Sequence, residues 1–198
     1  MKKWICLILI FLGVHFIVYA DDDLPLYSPQ KQTISNKFKD MSGFKFGASL
    51  TLKYNIITME TSNNNSLLFH QMQIDEDVFI GYNFNGYIAL YLKSSFQNDL
   101  VSTNSGLRKI DNRFGIYGKI GPRFYLTRWC SIEPDFVFGA NMYRSNWNYY
   151  NVIGADLLIN FDVLRTKNIT MSLSPTFMYR RTSYSNEYSL GVMYTIEA

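Results

Sequence analysis

Residues 43–56 read Gly43-Phe44-Lys45-Phe46-Gly47-Ala48-Ser49-Leu50-Thr51-Leu52-Lys53-Tyr54-Asn55-Ile56. Every even position is apolar or aromatic, and every odd position is polar or glycine. A period of two marks a β-strand with one apolar and one polar face, because successive side chains point to opposite sides. Strands of globular proteins usually hold about 5–6 residues, so this run is more than twice that length.

Outward from this stretch, the same alternation recurs over residues 74–84, 87–96, 113–126, 130–143, 152–164, 169–180 and 188–197. In the fourth segment Phe114, Ile116, Ile120, Phe124 and Leu126 face one way, and Gly115, Tyr117, Lys119, Gly121 and Arg123 the other. In the fifth, Ile132, Pro134, Phe136, Phe138 and Ala140 alternate with Ser131, Glu133, Asp135, Gly139 and Asn141. The third has Ile88, Leu90 and Leu92 on one face but Tyr87 and Tyr91 on the other, which leaves its polarity open. Pro122, Pro134 and Pro175 fall inside segments; lacking the ladder N–H, they speak against these registers or mark bulges.

The polar faces decide which way the sheet turns. They carry small residues and charges of both signs in mid-segment: Lys45, Lys53, Lys119 and Arg123 against Asp77, Glu133, Asp135, Asp156, Asp162 and Glu197. A soluble barrel would show long solvated side chains and few glycines on that face. A narrow transmembrane barrel packs it inside, where small residues make room and opposite charges must pair. A lysine or arginine facing lipid at mid-bilayer would cost roughly 2–4 kcal/mol, and none stands in mid-segment on the apolar faces. The expected fold is all-β, an eight-stranded antiparallel up-and-down transmembrane β-barrel over residues 43–198. With eight strands the interior is filled by side chains, which excludes a wide diffusion pore.

The connections support this. They are short at Asn85-Gly86, 127–129 and 165–168, long at 57–73 and 97–112, and intermediate at 144–151 and 181–187. Asn-Gly is the strongest short hairpin signal. Short turns on one rim and longer loops on the other are the layout of an outer-membrane barrel, with turns periplasmic and loops outside.

Residues 1–20 have a basic start at Lys2 and Lys3, an apolar run from Trp4 to Val18, and the small-residue site Val18-Tyr19-Ala20 before Asp21-Asp22-Asp23. This is the pattern of a cleaved secretory signal peptide. Residues 21–42 are then a periplasmic N-terminal segment. Beyond the signal, seventeen basic residues (nineteen Lys and Arg, less Lys2 and Lys3) meet sixteen acidic ones, so no basic field for nucleic acid exists. One cysteine, Cys130, remains, and no intrachain disulfide framework is possible. Fifteen Tyr, fifteen Phe and three Trp suit a barrel with aromatic girdles. Trp129, Tyr143, Trp147, Tyr149, Tyr188 and Tyr194 are the expected interfacial aromatics. A sugar or receptor contact is the sharper reading for Trp147, Tyr149 and Tyr150. One histidine and one cysteine cannot build a zinc site, and no cofactor is expected.

Together the eight-strand layout, the signal peptide and the final strand Tyr188-x-Leu190-x-Val192-x-Tyr194-x-Ile196 resemble the small outer-membrane β-barrel proteins, the group of the OmpA transmembrane domain, OmpX and OmpW. The resemblance covers residues 43–198. It implies a monomer in outer-membrane lipid of a Gram-negative-type envelope, assembled by the barrel-assembly machinery through that strand, with loops free for an extracellular ligand. The strand departs from the assembly signal at its last residue, Ala198. The expected role is structural or surface-interacting and non-enzymatic. The alternatives are a narrow channel for small or hydrophobic molecules, as OmpW implies, or a lipid-modifying enzyme similar to PagP. For the enzyme His70, in the first long connection near Ser62, Ser66, Asp75 and Asp77, is the one candidate base, and residues 27–41 would be the amphipathic stub.

Overall fold

The computed structural model describes residues 42–60, 66–104, 113–143, 149–166 and 169–198. The expected signal peptide, the segment to residue 41 with its amphipathic stub, and Ser62 lie outside the described residues. Eight strands follow in order: β1 (Gly43–Glu60), β2 (Ser66–Asn83), β3 (Ile88–Asn104), β4 (Arg113–Tyr125), β5 (Cys130–Tyr143), β6 (Tyr149–Arg165), β7 (Thr170–Arg181) and β8 (Ser185–Glu197). Each pairs antiparallel with the next and β8 returns to β1, giving a closed barrel. Directly opposed residues lead from Gly47 through Phe79, Lys93, Lys119, Val137, Gly154, Arg180 and Glu187 back to Ile57, ten residues further along β1. Eight strands closed with such a stagger leave an interior that side chains fill. At the seam, Phe46 and Ala198 exchange backbone hydrogen bonds of 3.1 and 2.9 Å.

The polarity is that of a globular protein turned inside out. Among the described residues, thirty polar or charged side chains are buried against twelve apolar ones. The outer wall is apolar: Phe44 is 74 % exposed, and Leu52, Val78, Ile80, Leu92, Phe136 and Leu190 also face outward. Water does not tolerate an apolar belt of this extent on a monomer, whereas hydrocarbon requires one. Closure leaves no unpaired strand edge in that belt. Aromatic rings border it at both ends. Phe44, Tyr82, Phe84, Tyr87, Phe124 and Trp129 lie at the end with short turns, and Tyr54, Tyr149, Tyr184 and Tyr188 toward the other.

Three expectations change. The first connection is residues 61–65 and the second long one 105–112, because β1 and β2 stay paired as far as Glu60 and Ser66, and β3 runs to Asn104. Here the polarity rule reverses: Ile57 and Phe69 point inward and are buried while His70 stands outward, so alternation ceases to mark the strand. The hairpin after β2 is a four-residue turn rather than a two-residue one. Its ends close through Phe84 N–H to the Ile88 carbonyl, the Asn83 side chain accepts from Gly86 N–H at 2.7 Å, and Gly86 takes φ 80°, a region that glycine enters without Cβ strain. The prolines mark no bulges. Pro122 pairs with Leu90, Pro134 with Leu157 and Pro175 with Val192, each on one side only; on the other side the ladder skips them without a shift of register. The register shifts stand elsewhere, between Met72 and Gln73 on β2 and between Asp162 and Leu164 on β6.

Candidate functional site

Alternation sends the odd residues of β1–β5 into the lumen, where the charges form three stacked layers. Near the turn end, Arg123 Nε lies 2.6 Å from Glu133 Oε2 and its Nη1 2.8 Å from Glu197 Oε2. Its guanidinium sits 4.1 Å over the Tyr91 ring, and the Tyr91 hydroxyl donates to Glu197 at 2.8 Å. Lys93 bridges Glu133 at 2.5 Å and Asp135 at 2.7 Å. In the middle layer, Lys119 lies between Asp77 and Asp156 at 3.2 and 3.3 Å. Lys53 meets Asp75 at 2.8 Å and Gln97 at 3.0 Å. Arg180 reaches Asp75 at 3.2 Å and covers the Tyr117 ring at 4.3 Å. Toward the loop end, Arg113 grips Glu187 with two bonds of 2.7 and 3.1 Å. Asp99 accepts there from Gln73 at 2.5 Å and from Arg113 N–H at 2.9 Å.

Lys93 and Lys119 are direct cross-strand neighbours, as are Asp135 and Asp156. Like charges opposed in this way repel. The side chains resolve it by leaning apart, so that each lysine lies between two carboxylates. Buried charge demands this pairing. An ion crossing the lumen would have to part several such pairs and pass Tyr91 and Tyr117.

Of the ten expected interior charges, Lys53, Lys119, Arg123, Asp77, Glu133, Asp135, Asp156 and Glu197 are buried in this network. Lys45 is half-buried near the turn end and, among the described residues, meets no acid across the barrel, which corrects its expected pairing; it stands one residue beyond Phe46, where the seam with β8 ends. Asp162 pairs locally with Arg165 and accepts from the Ser172 hydroxyl at 2.7 Å. Lys93, Arg113, Arg180, Asp75, Asp99 and Glu187 were not foreseen as members. Parity is readable in the sequence for Asp75, two residues before Asp77, whereas that of Lys93 stays open with the polarity of the third segment, whose faces Tyr87 and Tyr91 blur. Glu187 is hidden in the sequence because it falls in the expected connection 181–187, whereas β8 begins at Ser185.

His70 is corrected most. It belongs to β2 and stands half-buried on the outer wall, its Nδ1 2.7 Å from the Tyr54 hydroxyl and its ring stacked on Tyr54 at 5.8 Å. Asp75 and Asp77 point into the lumen, on the opposite side of the sheet. Of the expected interfacial aromatics, Trp129 and Tyr149 stand exposed at strand ends and Tyr188 packs against Tyr179 at 5.2 Å. Tyr194 lies within the apolar wall, opposite Leu50 and Leu173, and its hydroxyl donates to Met171 Sδ at 3.3 Å. Trp147 and the Tyr143 side chain lie outside the described residues. Among the described residues, no group of three or more His, Cys, Asp or Glu is placed to hold a metal.

With strand number, direction and closure in view, solved structures supply a likeness of fold. The fold is like that of Ail, the attachment invasion locus protein of Yersinia pestis. One crystal structure of Ail aligns with a TM-score of 0.50 at 9% identity, and one in complex with the heparin analogue sucrose octasulfate with 0.52 at 10%. Both alignments cover 80% of this chain and 100% of Ail. The likeness is one of fold. No protein-family model and no curated protein matches the sequence.

Proposed function

We propose that this chain is an integral outer-membrane β-barrel protein without catalytic activity, which offers its loop end to the exterior as an interaction surface. The observation that carries the membrane placement is the inverted polarity, a charged, side-chain-filled lumen inside an apolar wall bordered by aromatic rings. The signal-peptide pattern of residues 1–20 supplies the export route. The packed lumen counts against a channel, and the outward His70, separated by the sheet from Asp75 and Asp77, counts against an acid–base enzyme. Outer-membrane fractionation with a heat-modifiable gel shift tests the placement; recovery in the soluble periplasm ends it.

The ligand class to test first is a sulfated polysaccharide. Residues 105–112 and 144–148 contribute Arg108, Lys109 and Arg144 against one acid, Asp111, and Arg181 stands exposed at the end of β7. Ail, which shares the fold, has been crystallised with a heparin analogue. Retention of the folded protein on immobilised heparin, lost when Arg108, Lys109 and Arg144 are all changed to serine, is the expected result. Passage of the native protein unretained at low salt rejects this ligand class and leaves the barrel reading intact.

A further inference from the structure

Among the described residues, the outer wall carries one carboxylate between its aromatic borders. Glu76 is exposed on β2, midway in sequence between Tyr82 near the turn end and His70 near the loop end. Its backbone neighbours are Leu50 and Phe96, and Asp75 and Asp77 on either side of it point into the lumen. Among the described residues nothing hydrogen-bonds or pairs with its side chain. A polar group in this position is costly in hydrocarbon and calls for a partner. Ser94 stands beside it, also exposed and also without a bond among the described residues. It precedes Phe96, which opposes Glu76, by two positions. With strands spaced about 4.8 Å, rising about 3.3 Å per residue and tilted about 40°, Ser94 and Glu76 come within roughly 2 Å of the same height on the barrel. Gly118, opposite Ser94 on β4, has no side chain, and the Phe138 ring of β5 lies over it, closing the polar pair off on that side with an apolar surface.

From this placement we infer that the β2–β4 face is a lateral interface with a second copy of this chain, related by a two-fold axis parallel to the barrel axis and passing between Glu76 and Ser94. Such an axis sets each copy's Glu76 against the other's Ser94, so that residue i meets j and j meets i. In either protonation state the Glu76 carboxyl accepts the Ser94 hydroxyl, and two exchanged bonds satisfy both groups out of water. The other walls offer no match. In the belt the remaining outward side chains of β5–β8 are apolar, and among the described residues no lysine or arginine stands there to receive Glu76 from a head-to-tail neighbour. Small residues with polar side chains are also what membrane segments use to approach closely and bond across an interface.

The inference rests on the bilayer placement proposed above. The experiment separates the two, because flotation with vesicles and the heat-modifiable shift report the barrel independently of its partner. Glu76→Cys and Ser94→Cys proteins, each also carrying Cys130→Ser, are co-reconstituted in phosphatidylethanolamine–phosphatidylglycerol vesicles and oxidised. A mixed disulfide between Glu76→Cys and Ser94→Cys is expected to exceed either homodimer, because the second contact of that pair keeps a native Glu76 and Ser94. Val192→Cys, on the far wall, gives no dimer. By fluorescence energy transfer, Glu76→Leu and Ser94→Ala are each expected to weaken association of the otherwise native protein about tenfold. Both remain inserted, since Leu and Ala suit a lipid-facing wall. Cross-linking at Val192→Cys equal to that of the mixed pair, a monomeric native protein in vesicles, or undiminished association of Glu76→Leu each overturns the proposal.

Discussion

At the scale of single residues, the lumen is governed by the rule that a buried charge is tolerable with its partner and costly without it. Arg113 and Glu187 give the cleanest case, since two parallel bonds join them at the loop end of the barrel. Arg113→Met should lower stability by about 3–5 kcal/mol because it strands the Glu187 carboxylate. Glu187→Leu should do the same to the guanidinium. The double variant should lose clearly less than the two losses added, since it leaves neither charge exposed to the other's absence. Urea unfolding of vesicle-inserted protein, followed by the heat-modifiable shift, measures all three. Additive losses would show that Arg113 and Glu187 do not act as a pair. Lys45 is the contrasting residue. Half-buried and without a carboxylate partner among the described residues, it should be replaceable by Gln within about 0.5 kcal/mol in the same assay.

At the scale of strands, glycine and tyrosine work as matched shapes across the ladder. Tyr91 lies directly opposite both Gly81 and Gly121, and a Cβ added at Gly81 would come 2.5 Å from the Tyr91 ring. Gly139 stands opposite Tyr117 in the same way. Gly81→Ala should cost about 1–3 kcal/mol by overpacking and Gly81→Val more, read by the same unfolding midpoint. An undisturbed midpoint for Gly81→Val would mean that Tyr91 does not fill this part of the lumen. This pairing also explains what alternation could convey. Strand count, direction and the inward or outward side of most residues follow from a period of two, so β5 was delimited to the residue and the core of the charge network was legible. Tyr91 misled because a large aromatic on the inner face looks like a second apolar face; its hydroxyl bonds and its neighbouring glycines are visible only in space. The upper ends of β1 and β2 were illegible because Ile57 and Phe69 point inward, against the rule that held below them. The partners within the network were not legible at all, because cross-barrel pairs such as Arg123 with Glu197 depend on stagger, which no single strand encodes.

At the scale of the whole molecule, stability and permeability follow from where the charges are. Each of the six buried lysines and arginines among the described residues has a carboxylate no farther than 3.2 Å away, inside a wall that excludes salt water. At 0.1 M salt, exposed charges more than about 10 Å apart are largely screened, and at higher salt the distance shortens, whereas buried pairs are screened far less. Raising sodium chloride from 0.1 to 1 M should therefore leave the urea midpoint almost unchanged; a marked fall would place the ion pairs in contact with solvent. The same packing bears on conduction. Between the mouths, a permeating ion meets the Arg123–Tyr91–Glu197 cluster, then Lys93 and Lys119 held between carboxylates, then Arg180 over Tyr117, and finally the doubly bonded Arg113–Glu187 pair. Each pair must be broken and its members left unsolvated for the ion to pass, and breaking even one costs several kcal/mol. The folded protein in a planar bilayer should show no conductance steps above the bare-membrane baseline, at either polarity and in 1 M potassium chloride. Regular, voltage-independent steps from native protein would mean that the network opens on its own, and the narrow-channel reading would then replace the surface-interaction one.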